Sequence, residues 1–414
     1  MRKREERTVF FPVEIAGGFA YHSRLYDISH ASTFSLLFAA FCAAVTLGAL
    51  GLSASLSAQG LPGYSIVDLG ALTMPGGGRG QGVNDFGQVG GYSTASDGRN
   101  HAVLYGAGMN PQDIGTLGMN SIGYGINNLG QVAGQFGNFS GTAFLYTPGV
   151  GMQSLGVFDP GGNGFSRAYG VNNAGAVTGY SSNANGSFQH AFLYTAGTGM
   201  QDIGSLGGTQ SAGFAINGSN QIVGRSLVTG NAGFQAFVYN PGTGMMNINT
   251  LGGQSEAHGI NSFGIATGTV QGMDLAGYAF RWDPVNGMVT LATPGSWMDV
   301  IGNSINDAGE IVGSASISGG MHAIAFIDGT SYDLQTLITA SSPFTTLLEA
   351  FSVNASGQIT GYSTSRIDGL EHAFLLTPIP EPGSVALIAL GTLILGIKVW
   401  QRKRIDGRAR INFA

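Results

Sequence analysis

The chain has 414 residues, of which 70 are glycine and only 10% are charged. So much glycine without a Gly-X-Y period, beside abundant Val, Ile, Leu and Phe, excludes collagen and simple disorder and leaves a turn-rich, all-β chain. Between residues 60 and 384 six arginines and no lysine face 18 acidic residues, a net charge of −12, which excludes nucleic acid as a partner.

The first predicted element is a signal helix within residues 1–58. Residues 33–52 are apolar and uncharged, follow Arg2, Lys3, Arg4, Arg7 and Arg24, and precede Ser53-Ala54-Ser55-Leu56-Ser57-Ala58. Basic residues, an apolar stretch and small residues, in that order, mark a secretory signal peptide with cleavage near Ser57 or Ala58. An uncleaved signal anchor is the competing reading, since about 20 apolar residues can span a bilayer. Cys42, the one cysteine, lies inside the apolar stretch. No disulfide framework and no thiolate metal site is therefore expected in the body. A lipid-attachment reading of Cys42 is disfavoured by the bulky Phe41 before it.

Residues 64–376 are built from a sevenfold repeat. The segment Gly-Val-Asn-Asp-Phe-Gly-Gln-Val-Gly-Gly around Asn84 recurs around Asn127, Asn172, Asn217, Asn261, Asn306 and Asn354, at spacings of 43, 45, 45, 44, 45 and 48 residues. The residue before each Asn is Val or Ile, as a strand prefers. Three residues after it stands glycine, or asparagine at Asn220, so the position is predicted to be left-handed. Asn first and Gly fourth suit a type I turn with a glycine bulge between two antiparallel strands. Seven residues after each Asn, from Gly91 to Gly361, glycine is invariant, which marks a bulge or a close backbone approach.

A third strand follows in each unit, of the His-Ala-Phe-Leu-Tyr type, beginning at His101, Thr142, His190, Gln235, Tyr278, His322 and His372. A fourth follows a glycine turn, as in Gly199-Met200-Gln201-Asp202. Four short strands in about 45 residues predict a seven-bladed β-propeller, with a β-solenoid as the alternative. The chain enters with an orphan fourth strand at Tyr64–Gly70 and leaves after a third, so the first strand is expected to close the ring. These units resemble the extracellular HAF repeat family, named for the triplet present at His190 and His372. The resemblance implies an extracellular location.

At residues 378–404, Pro380-Glu381-Pro382 precedes an apolar run from Ser384 to Ile397, then Lys398, Arg402, Lys403 and Arg404. By physics alone this is a membrane-spanning helix, with its basic end and the basic tail 405–414 in the cytoplasm and everything before it outside. The order of the three features resembles the PEP-CTERM sorting signal. That resemblance implies recognition by an exosortase-type enzyme, loss of the tail, and release or attachment at the cell surface.

The search for chemistry yields little. Only four of the seven units carry the repeat histidine, so a hydrogen bond to a neighbouring strand explains it better than a metal or catalytic role. Asp68, Asp113, Asp202 and Asp333 occupy equivalent places in the fourth strands, whereas Asp159, Glu256, Asp274, Asp299 and Glu349 are expected in loops. No nucleophile elbow, His-Glu-x-x-His or calcium loop is present. No catalytic, cofactor-binding or metal-binding residue is therefore assigned. Trp282 falls on a regular strand position and is expected in the core. Trp297, in the irregular segment Thr293-Pro294-Gly295-Ser296-Trp297, is the candidate ligand contact. The expected function is an exported, surface-sorted, non-enzymatic binding or matrix module, with extracellular polysaccharide as the candidate ligand. The alternative is a secreted polysaccharide lyase or glycosidase using loop carboxylates on one propeller face.

Overall fold

The computed structural model describes residues 63–380, apart from 107, 116–118, 138–140, 160, 162–163 and 184–185. The signal peptide, the apolar run after Pro382, the basic tail and the motif residues Glu381 and Pro382 lie outside the described residues. Among the described residues no helix is long and apolar enough to cross a membrane. The two short 3-10 turns, Thr229–Asn231 and Leu334–Leu337, are the helical segments present there.

The described chain is all-β and forms a propeller-like ring of four-stranded sheets. In each unit the strand that ends at the repeat Asn is innermost, and successive inner strands pack against one another around the ring. The count of separate blades differs from the seven expected. Five sheets stand alone with four strands, while the third and fourth units merge into one sheet of eight. The merger comes from an inner strand, Gly207–Ile216, that starts early, so that Gln210 forms a single parallel bridge to Gln189.

Ring closure follows the predicted route. The first strand, Gly63–Asp68, pairs antiparallel with the last, Glu371–Ile379, from Gly63↔Ile379 to Asp68↔Phe374. In the sheet so formed the edge strand Gly63–Asp68 comes from the start of the described chain and the other three strands from the seventh unit, and Tyr64 of the edge strand is fully buried.

The repeat turns adopt the predicted geometry. Gly87, Gly130, Gly175, Gly264, Gly309 and Gly357 are left-handed, and Asn220 takes the same conformation with φ 58°. The invariant glycine seven residues after the Asn answers a second constraint. Gly179 sits opposite the inner strand so tightly that a β-carbon would fall well inside contact distance of the Arg167 carbonyl oxygen. The same oxygen belongs to a bulged stretch of strand, so bulge and close approach are one feature here.

Between sheets the core is made by the repeated aromatic of the third strand. Phe144, Phe192, Phe237, Phe280 and Phe374 are fully buried. Each apolar cluster draws on adjacent units; Phe237, for instance, packs with Ile222, Ala191 and Leu193. Burial of this kind contributes about 25 cal/mol per Å² of apolar surface, and here it glues sheet to sheet.

Candidate functional site

The inner strands surround an axial channel with two differently built ends. One end is a ring of seven asparagines. Each Asn side chain donates through Nδ2 to the backbone carbonyl of the next repeat's Asn: 84 to 127, 127 to 172, 172 to 217, 217 to 261, 261 to 306 and 306 to 354. Asn354 donates to the Asn84 carbonyl at 2.8 Å and closes the circle. Each Oδ1 accepts backbone N–H groups of its own turn, as Asn172 does from Ala174 and Ala176. These side chains are buried, and their bonding capacity is spent inside the protein.

The seven Val and Ile residues before the asparagines form a waist, shared as lining by a cavity of about 270 Å³ on the Asn side and one of about 310 Å³ beyond it. Beyond the waist, every inner strand carries a β-bulge. Pairing with the second strand skips one residue, for example from Ala168 to Gly170, from Gly213 to Ala215 and from Ala257 to Gly259. The skipped residues are Gln81, Tyr124, Tyr169, Phe214, His258, Asn303 and Phe351, and all of them line the second cavity. A bulge leaves one residue out of the ladder and re-aims its side chain, here into the channel mouth. A small residue follows each bulge, which lets neighbouring inner backbones approach. A β-carbon on Gly259, for instance, would lie 2.9 Å from Ser304 Cα.

Four of the bulged residues form a continuous aromatic belt. Ring centroids are 5.1 Å apart for Tyr124 and Tyr169, 5.3 Å for Tyr169 and Phe214, and 5.6 Å for Phe214 and His258. Tilted and edge-to-face contacts at these distances are the favourable geometries for aromatic pairs. All four side chains are half-buried, so their edges remain open to the mouth.

Around the belt stands a tier of charge. Arg79 forms a bidentate pair with Glu371 at 2.7 and 3.0 Å, its guanidinium 3.8 Å from the Tyr362 ring centre. Arg225 donates to Glu256 at 2.6 Å, and Glu256 also pairs with His258 Nε2 at 3.4 Å. Arg167 donates through Nε to Gln135 at 2.7 Å and through Nη1 to the Tyr169 hydroxyl at 3.2 Å. Burial works against ionisation of Glu256, but the His258 and Arg225 hydrogen bonds outweigh it and hold its carboxyl below the usual range. Burial dominates at Glu349 and raises its carboxyl, with the Asn303 amide opposing. Burial also pushes Tyr124 up to about 12. Among the described residues no group of three or more His, Cys, Asp or Glu is placed to hold a metal ion.

The residues singled out from sequence fall as follows. Trp297 opens the strand Trp297–Ile305, opposite Ile317, and lies half-buried against the apolar cluster of Val300, Ile311 and Phe326, away from the channel mouth's lining. Trp282 is buried in the core, as expected. Pro380 follows the last strand and is exposed. Glu256, Asp299 and Glu349 are not in loops but on the inner strands Ser255–Ile260, Trp297–Ile305 and Phe344–Val353. Their positions follow from the bulges, which lengthen the inner strand on the mouth side.

The repeat histidines have a defined partner: the repeat aspartate of the adjacent fourth strand. His101 Nδ1 donates to Asp113 at 2.6 Å, His190 to Asp202 at 3.0 Å, His322 to Asp333 at 2.8 Å and His372 to Asp68 at 3.0 Å. Where the histidine is replaced by Thr142, Gln235 or Tyr278, the aspartate position is Ser154, Asn247 or Thr290. The two columns change together, which was readable in the sequence. The bulged column, three before each Asn, was equally readable: five of its seven members are aromatic rings, counting His258.

No family model matches this chain, and no curated protein sequence is similar to it. Solved structures with a distant likeness include TolB from Acinetobacter baumannii, at 13% identity and TM-score 0.43, covering 71% of this chain and 64% of that one. A puromycin hydrolase shares 14% identity at TM-score 0.44, covering 73% of this chain and 53% of its own. The BP39L lectin from Burkholderia pseudomallei shares 9% identity at TM-score 0.43, with 77% and 98% covered. The chain thus spans under two thirds of the first and about half of the second, and at these distances none of the three carries a functional assignment.

Proposed function

We propose that this chain is an exported, surface-sorted binding module that holds extracellular polysaccharide at the bulged mouth of its channel. In this reading the eight-stranded sheet counts as two blades joined by one bridge, which gives a seven-bladed propeller of HAF-type repeats. The residues around Pro380 to Pro382 and the apolar run after them act as a PEP-CTERM tag for an exosortase-type enzyme. The observation that carries the binding role is the belt of Tyr124, Tyr169, Phe214 and His258, held open at a concave mouth of about 310 Å³. Flat aromatic edges beside planar donors and acceptors suit the apolar faces and hydroxyls of sugar rings.

The test is affinity electrophoresis and calorimetry of the wild type and Tyr169→Ala with a panel of neutral and acidic polysaccharides. Retention by at least one glycan, weakened about tenfold or more by the substitution, supports the reading; retention indifferent to Tyr169→Ala overturns it. One observation favours the catalytic alternative: Glu256 held low and Glu349 raised on the same mouth is the split that acid–base pairs use. Their ion-pair and amide partners favour a structural role for both. Release of new reducing ends from a retained glycan would move the assignment to a glycosidase. Mass spectrometry of the mature protein tests the tag, and intact peptides beyond Pro382 in most molecules would sink it.

A further inference from the structure

The charged tier around the mouth is neutralised almost everywhere. Of the six arginines between residues 60 and 384, four face a carboxylate: Arg79, Arg99, Arg225 and Arg281. Arg366 is exposed and donates to the Phe344 carbonyl. Arg167 is different: it has no carboxylate partner among the described residues, yet it is half-buried at the mouth.

Its surroundings are specific. The guanidinium carbon lies 5.6 Å from the Tyr124 ring centre, 5.8 Å from Tyr169 and 5.8 Å from Tyr180. Nε–H donates to Gln135 Oε1 and one N–H of Nη1 to the Tyr169 hydroxyl, which fixes the plane of the group. Nη2 donates to nothing within the described residues. An arginine locked by neutral acceptors and aromatic faces, with one edge of its fork unspent, is prepared for a planar anion. Phosphate and sulfate groups are tetrahedral, whereas both oxygens of a carboxylate can lie in the plane of the fork. A single carboxylate on a ring that stacks on tyrosine matches what is offered.

We propose that Arg167 is the specificity residue for a carboxylate-bearing sugar, a uronic acid unit of an acidic polysaccharide. The sugar ring lies against Tyr124 and Tyr180, and its carboxylate meets the free edge of the Arg167 fork. This inference rests on the glycan-binding reading above.

The test uses the full chain with oligogalacturonate, a neutral oligosaccharide of equal length, and a sulfated glycan. Arg167→Met keeps the apolar stem between the tyrosines, and Arg167→Lys keeps charge without the fork; melting curves establish that both are folded. The expected result is tighter binding of oligogalacturonate than of the neutral chain. Arg167→Met should weaken the uronate at least tenfold, Arg167→Lys by less, and neither should alter the neutral ligand by more than about twofold. Equal binding of neutral and uronate chains, or uronate binding indifferent to both variants, overturns the proposal and leaves the glycan reading standing. Preference for the sulfated glycan overturns it in favour of a tetrahedral anion. Failure of all three ligands to bind overturns both.

Discussion

The two ends of the channel are made by the same seven strands, yet they follow opposite rules. At the Asn end every unit supplies the same residue, every amide is bonded, and the ring closes on itself from Asn354 to Asn84. At the bulged end every unit supplies a position of the same geometry but the side chain varies, with five residue types among seven units from Gln81 to Phe351. Sameness at one end serves closure, because a cyclic hydrogen-bond chain works only if each link fits the next. Difference at the other end gives the mouth a direction, with the aromatic belt and Arg167 on the second to fifth units and carboxylates on the fifth and seventh. A repeat protein of this kind separates what holds it together from what it presents.

The sharpest way to break that contrast is at the Asn ring. Asn172 accepts from Ala174 and Ala176 and donates to the Asn217 carbonyl and to Asn220 Oδ1 at 2.7 Å. Asn172→Ala strands these buried partners and is expected to cost about 2–4 kcal/mol of stability, read from urea unfolding. Tyr169→Ala, at the bulge of the same strand, removes a half-buried ring and is expected to cost about 1 kcal/mol. Equal losses for the two would show that the ends do not divide labour as described.

Much of this architecture was legible in the sequence. The β-branched residue before each Asn, the left-handed position at Asn220 and the entry strand beside His372 all follow from columns that repeat without exception or with one telling exception. What stayed hidden was geometry that depends on counting residues between partners. Gly91 and its equivalents announced a bulge but not which residue it would displace. Only the pairing shows that Gln81 is skipped between Gly80 and Gly82. Without that displacement, Glu256 and Glu349 appeared to lie in loops, since they fall outside the repeated columns. The merger of the third and fourth units was hidden for a related reason: Leu206-Gly207-Gly208 recurs as Leu251-Gly252-Gly253 in the next unit, so the letters do not mark out the bridge at Gln210.

A second measurement sharpens the boundary between holding and presenting. Trp297 is the most irregular tryptophan by sequence, but it packs beside Val300, Ile311 and Phe326. Trp297→Ala is expected to lower stability by about 1–3 kcal/mol and to leave glycan affinity within about twofold. Lost binding at unchanged stability would instead make this residue part of the presented surface.

The smallest expected effect concerns the histidine–aspartate pairs, which occur in four of the seven units and so belong to neither rule. The one at the ring closure is the most enclosed: His372, 1% exposed, lies between Asp68 of the first strand at 3.0 Å and Asp368 at 3.2 Å. The Asp68 hydrogen bond raises the His372 imidazole above its ordinary 6.5, burial opposes, and the charges of Asp68 and Asp368 add to the rise. A raised folded value means that the protonated form is favoured in the native state. The stabilisation is therefore full below about pH 6.5 and is lost as pH rises through the higher folded value. Urea midpoints for the wild type should decline between pH 6 and 8.5, and His372→Gln should flatten that decline. A slope that survives His372→Gln would place the pH dependence elsewhere and make the ring closure a matter of strand pairing alone.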